Sequence, residues 1–283
     1  MQFTQILGQE HIKNHLTRSV QLGRIPHAQL FVGPEGSGTL AMAIAYAQYL
    51  LCNNTGNENS GGNDACNLKF QHFAHPDLHF IYPTVTTDDV KSKPKSIDFI
   101  KDWRSFLNEN SYGGLFDWFK ILGVENKQGE IRVDDAQEIL KTLSLKSYEG
   151  GYKVMIIWMA DKMNIAASNK LLKILEEPTD RTVFILITEK EEDLIQTIRS
   201  RCQVLDFNGL PESVIAEALI EAAELMLKDG DVKSIGRAAH YLGRAALLPH
   251  GDRMPLAEYA MICRPVPTAF AVTESFASPL QVY

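Results

Sequence analysis

The chain is short of several things, and each shortage closes off a class of protein. No apolar run reaches the roughly 18 residues a membrane-spanning helix needs, although 45% of the 283 residues are hydrophobic. No basic stretch followed by an apolar one stands at Met1-Gln2-Phe3-Thr4, so no signal peptide is visible and the expected compartment is the cytoplasm. Cysteine is scarce. Cys52, Cys66, Cys202 and Cys263 are spread too widely to read as the disulfide framework of a small secreted domain. Positive charge is not in excess either. A net charge of −7 argues against a surface built to coat nucleic acid and leaves room only for a local basic face. With 22% charged residues no disordered class fits, and the length suits about two domains at ~150 residues each.

What is present centres on Gly33-Pro34-Glu35-Gly36-Ser37-Gly38-Thr39-Leu40. A working phosphate-binding loop reads G-x-x-x-x-G-K-[ST]. Its glycines let backbone N–H groups cradle the phosphates, its lysine reaches the β/γ-phosphates and its hydroxyl holds Mg²⁺. Here Gly33, Gly36 and Gly38 keep the loop and Pro34 sits within it. Thr39, however, stands at the lysine position and Leu40 at the hydroxyl position. The cradle is kept and its charge is gone. Nucleotide binding is therefore not expected in it, and the plain alternative is that the glycines mark only a tight turn.

Strands and helices alternate along the chain. Ala28–Val32 is an apolar run feeding into the glycine loop, and residues 40–51 (LAMAIAYAQYLL) form a breaker-free, buried helix. Residues 53–64 read as a polar loop, and Leu78–Tyr82 as a second strand. Residues 84–130 read as a helical insertion with a basic stretch, Lys91 to Lys95, and a set of aromatics. Trp103, Phe106, Phe116, Trp118 and Phe119 are expected to serve packing. Asp134–Leu145 is an amphipathic helix, Lys153–Met159 a strand buried on both faces, Asn164–Glu177 a helix closed by Pro178, and Thr182–Thr188 a fourth strand. The expected fold is α/β, a mostly parallel sheet with helices on both faces.

Nucleotide hydrolases place acidic residues at the end of such a third strand, to hold Mg²⁺ and polarise the attacking water. This strand ends in Trp158-Met159-Ala160-Asp161. The two acidic positions are Trp and Met, and Asp161 comes too late. Two separate pieces of hydrolytic machinery are missing from one chain.

Three segments carry a family resemblance: residues 27–34 (HAQLFVGP), 169–178 (NKLLKILEEP) and 197–203 (TIRSRCQ). With Ile6 to Glu10 and Leu22 to Pro26, they resemble the delta prime subunits of the bacterial DNA polymerase III clamp loader over about residues 1–210. The degenerate loop and lost acids favour that branch over the gamma/tau motors. The resemblance implies an AAA+ P-loop fold with a parallel sheet flanked by helices and a small helical lid. It implies a body over 1–208 with the insertion at about 84–130 and a lid over 209–248, with helices over Pro211–Lys228 and Ile235–Leu248. Residues 249–283, punctuated by Pro249, Pro255, Pro265, Pro267 and Pro279, depart from the family pattern and are expected as an irregular tail, with the family's collar domain missing. Arg244 falls loosely where a second sensor would be. The resemblance also makes Ser200-Arg201-Cys202 the SRC motif, with Arg201 an arginine finger given in trans to a neighbouring subunit's ATP. A permanently charged, planar guanidinium suits a γ-phosphate gathering charge; the plainer alternative is a surface Arg paired with a carboxylate. Thr188 matches the sensor-1 position, or is simply a strand-end hydroxyl.

Such subunits commonly carry a four-cysteine zinc module after the first helix, where Cys52 and Cys66 sit. With only two cysteines there, and His72 or His75 needed to complete four ligands, the module is expected to be eroded and without metal. No cofactor is expected. The implied partners are the gamma/tau and delta subunits and, through the complex, the sliding clamp and primer-template DNA, with no membrane. The rivals are an ATP-hydrolysing gamma/tau-like motor and a scaffold built on an inactive ATPase fold.

Overall fold

Thr182–Thr188 (β4) is buried along its whole length and forms the centre of a five-stranded sheet. Such burial on both faces is what a continuous apolar strand under two helical layers requires. The computed structural model describes residues 1–52, 64–124, 127–149 and 151–229. Within them the order is α1 (Glu10–Gln21), β1 (Ala28–Val32), α2 (Thr39–Cys52), α3 (Asp64–Gln71), β2 (Leu78–Ile81), α4 (Ile100–Glu109) and α5 (Leu115–Ile121). There follow α6 (Val133–Ser144), β3 (Lys153–Ile157), α7 (Ile165–Glu176), β4, α8 (Gln196–Arg199), β5 (Gln203–Asp206) and α9 (Glu212–Asp229). The strands lie in the order β2-β3-β4-β1-β5, and every pairing is parallel. This is the expected α/β arrangement, a parallel sheet with helices on both faces.

Two apolar layers sandwich the sheet. On one face α1, α2, α4 and α5 pack on Phe31, Phe80, Ile156 and Ile185. On the other, α6, α7 and α8 pack on Leu30, Ile157, Phe184 and Leu186. The helix α2 is apolar all round and almost wholly buried, as an enclosed core helix must be. The start of α7 is set by Asn164, whose Oδ1 accepts from Ala167 N at 2.9 Å, a side-chain cap for an otherwise unpaired amide. Pro178 lies just past its end, where a helix cannot continue.

The structure corrects several expectations. The third strand stops at Ile157, because Met159 takes a left-handed backbone (φ 53°) that turns the chain away. The helices α1 and α3 and the short β5 were not expected, and Asp64 opens a helix instead of closing a loop. The 84–130 segment is not a separate module: Trp103, Phe106, Trp118 and Phe119 join the main core. Phe116 does not, being 59% exposed on the outer side of α5. The first expected lid helix is α9. The expected helix over 235–248, Arg244, Cys263 and the 249–283 tail lie outside the described residues.

Candidate functional site

The glycine loop sits where a P-loop must, between the C-terminal end of β1 and the start of α2. Gly36 and Gly38 have φ of 80° and 86°, conformations that a side chain would strain. Pro34 is exposed, Thr39 half-buried and Leu40 buried. The loop is roofed by the turn joining α4 to α5. A Cβ placed on Gly38 would lie 2.8 Å from Tyr112 Cε1, and one on Gly114 would overlap the Glu35 carboxylate. Tyr112 is 4% exposed, and its hydroxyl accepts from Leu7 N at 3.0 Å. The cavity left above the loop has about 20 Å³ of room, enough for one water and no more.

The charge in this place is also of the wrong sign for a phosphate. Burial raises the pKa of Glu35, and Glu189 and Asp117 raise it further. Burial likewise raises Glu189, with Asp161 adding to the effect. Asp161 itself is engaged, 2.6 Å from Lys162 Nζ and 3.1 Å from the Thr188 hydroxyl. That hydroxyl also lies 3.0 Å from Lys190 O, so Thr188 is held within its own loop. Among the described residues lining the cavity none is basic.

The position of the lost acid has become core. Trp158 is 2% exposed, with ring centroids 5.2 Å from Trp103 and 5.5 Å from Phe106. An acid at that position would be surrounded by indole and phenyl rings with no partner for its charge. MgATP therefore does not fit the residues present.

The SRC motif occupies the turn between α8 and β5. Arg201 Nη2 lies 2.5 Å from Glu176 Oε1, and Nη1 donates to Thr197 O at 2.7 Å. The Ser200 hydroxyl donates to Thr197 O at 3.2 Å, and burial pushes the Cys202 thiol up to about 12. Topology separates this turn from the P-loop. Gln203 pairs level with Gln29 and Asp206 with Val32, so Arg201 stands at the N-terminal edge of the sheet and the glycine loop at the C-terminal edge. At ~3.3 Å per residue the two are roughly 15–20 Å apart. Arg201 cannot reach a nucleotide in this chain's own loop.

The cysteines bring a second correction. Cys52 and Cys66, both buried, form a disulfide with Cα atoms 5.5 Å apart. Cys66, His75 and Glu149 place possible metal ligands within 4.8 Å of one another. Yet Cys66 is bonded to Cys52, Lys69 pairs with Glu149, and burial lowers the pKa of His75. No thiolate is left and a cation already neutralises the carboxylate, so this donor set does not fit structural zinc.

The structure brings the glycine loop, Trp158 and Thr188 to one end of the sheet and puts Arg201 at the other. Sequence reasoning missed the roles of Tyr112, Glu35, Glu189 and Glu176. The glutamate of the 169–178 segment pairing with the motif arginine had a signal in the sequence, since both motifs had been singled out. Tyr112 had none.

The described helices include none long and apolar enough to cross a membrane. A profile of the family described as DNA polymerase III, delta subunit, matches residues 8–211. The chain is similar to the DNA polymerase III subunit delta' of Bacillus subtilis, 30% identical over 213 residues, 75% of this chain and 51% of that protein. It is similar as well to the gamma/tau subunit of Mycobacterium tuberculosis, 28% identical over 223 residues, 78% of this chain and 31% of that protein. A solved gamma subunit-related protein of Thermotoga maritima aligns with a TM-score of 0.44 at 17% identity, over 84% of this chain and 57% of that one. The chain thus spans about half the length of the delta' relative. The profile match runs through most of the chain, glycine loop and SRC turn included, and the chain therefore belongs to the DNA polymerase III delta-subunit family and is delta-prime-like within it.

Proposed function

We propose that this chain is a non-hydrolysing subunit of a DNA polymerase III clamp loader that donates Arg201 in trans to ATP on a neighbouring motor subunit. One observation carries the reading: the chain's own phosphate site is filled, while the motif arginine stands at the opposite edge of the sheet. An arginine so placed can serve only a nucleotide held by another molecule. Its guanidinium supplies a planar fork of donors for the charge that gathers on a γ-phosphate. Ser200 and Cys202 shape the turn that presents it.

In this reading residues 1–208 form the rigid body, 209–248 the lid beginning with α9, and 249–283 a tail. The gamma/tau and delta subunits are its neighbours. The sliding clamp and primed DNA are reached through the complex, in the cytoplasm. Docking requires Arg201 to exchange Glu176 for the neighbour's phosphate. That exchange is cheap, because the pair is half-exposed and such pairs contribute about 0–1 kcal/mol.

The test is the DNA-stimulated ATPase of a matching motor subunit with the clamp-opening subunit, measured without this chain, with it, and with Arg201→Ala. Stimulation by the native chain that the variant loses is the expected result. Equal stimulation by both would remove the finger, and stimulation by neither would remove the loader role. ATP turnover by this chain alone would restore the motor reading.

A further inference from the structure

We infer that the phosphate loop of this chain has an internal ligand, its own 110–114 turn, and that this turn excludes nucleotide independently of the missing lysine. The absent lysine alone would account for a weak site. It does not account for how the loop is filled.

Four contacts lock the turn in place. The Tyr112 ring lies against Gly38 at the contact where a side chain would collide. The Tyr112 hydroxyl accepts from Leu7 N, tying the turn to the N-terminal segment. Glu35 folds over Gly114, whose lack of a side chain makes the space. Asp117 braces the turn from behind, accepting from Gly114 N at 3.1 Å and Asn110 Nδ2 at 3.2 Å. From the other side Gln9 Nε2 donates to Ser37 O at 3.1 Å and Asn208 O at 2.6 Å, clasping the loop.

What remains is a pocket of about 20 Å³, lined in part by Ser111, whose buried hydroxyl has no partner among the described residues. The space suits one ordered water, which would satisfy that hydroxyl. A polyphosphate needs many times the space. It would have to expel the Tyr112 ring into solvent and lie beside Glu35 and Glu189. The loop retains its glycines because the turn needs them: Gly38 for the ring, and the left-handed backbone at Gly36 and Gly38 for the shape that receives it.

The test uses the isolated 283-residue chain and needs no clamp-loader partner. The probe is a fluorescent N-methylanthraniloyl ADP with Mg²⁺, titrated against four forms: the native chain, Thr39→Lys/Leu40→Thr, that pair with Tyr112→Ala, and the three with Glu35→Gln. The restored lysine and hydroxyl alone are expected to bind no better than the native chain. Adding Tyr112→Ala is expected to tighten binding at least tenfold over the restored pair. Binding by the restored pair as tight as by the triple variant would overturn the inference, as would a folded triple variant that binds no better than the pair. A variant that leaves folding untouched covers the case in which Tyr112→Ala unfolds. In Tyr112→Phe the Leu7 amide loses its acceptor, and its hydrogen exchange should quicken relative to the native chain. Unchanged protection at Leu7 would overturn the proposed lock.

Discussion

Two tryptophans of the aromatic cluster offer a comparison in which packing nearly cancels. Trp103 and Trp118 are both fully buried and stand 5.2 Å apart, ring centre to ring centre. Trp118 Nε1 donates to Pro83 O at 2.9 Å, whereas Trp103 Nε1 has no partner among the described residues. Replacing either by Phe removes a similar volume from a dense core, at a cost of about 1–2 kcal/mol. In Trp118→Phe the buried Pro83 carbonyl also loses its donor and is stranded, at about 1–3 kcal/mol. In Trp103→Phe nothing is stranded, and the burial of an unpaired N–H is relieved. Trp118→Phe should therefore be the less stable by about 1–3 kcal/mol. Urea unfolding followed by circular dichroism at 222 nm would read this as a midpoint lower by ~0.5–1.5 M at typical denaturant slopes. A Trp103→Phe midpoint at or below that of Trp118→Phe would refute the reasoning. The comparison bears on function because Trp158 leans on the same cluster where a hydrolase keeps an acid.

Two other perturbations have a definite sign. The pKa of Glu35 in the folded chain is raised above its ordinary 4.5 by burial and by neighbouring carboxylates. Its contribution to stability is thus whole below pH 4.5 and lost as pH rises through the folded value. Glu35→Gln should raise the melting temperature at pH 7 and lose that advantage below pH 4.5, and an advantage independent of pH would contradict the assignment. The Cys52–Cys66 bond closes a loop of sequence separation 14, for which the chain-entropy treatment gives about 3 kcal/mol. The oxidised chain should show two fewer titratable thiols when denatured than after reduction. Reduction should lower its urea midpoint, and identical midpoints would count against the bond.

How legible the fold was depended on whether a segment's pattern was its own. The strand β4 was readable to the residue, because TVFILIT admits no other role beside a parallel partner. The strand β5 was not. The residues Gln203–Asp206 are mixed in polarity and only partly buried, and they are strand because β1 had an edge to offer. In the segment LFDWFKI, composition could not say which ring turns outward. The helix α5 buries Trp118 and Phe119 and leaves Phe116 exposed, a choice made by the rest of the cluster. The candidate site divides in the same way. The loss of lysine and acids was visible as local substitutions. The plug was not, since Tyr112 meets Gly38 across 74 residues by a path the insertion's fold decides. The disulfide was hidden by a polar spacer whose sequence has no pattern linking Cys52 to Cys66.

The clasp made by Gln9 has a consequence for motion. One amide group holds both the glycine loop and the segment that leads into α9, while Leu210 and Val214 pack over Gly8. The direction in which α9 leaves the sheet is therefore set by side chains of the chain itself. A hinge governed by a diffusible ligand has two populations for that ligand to redistribute. A loop plugged by Tyr112 gives a nucleotide no foothold from which to redistribute this joint.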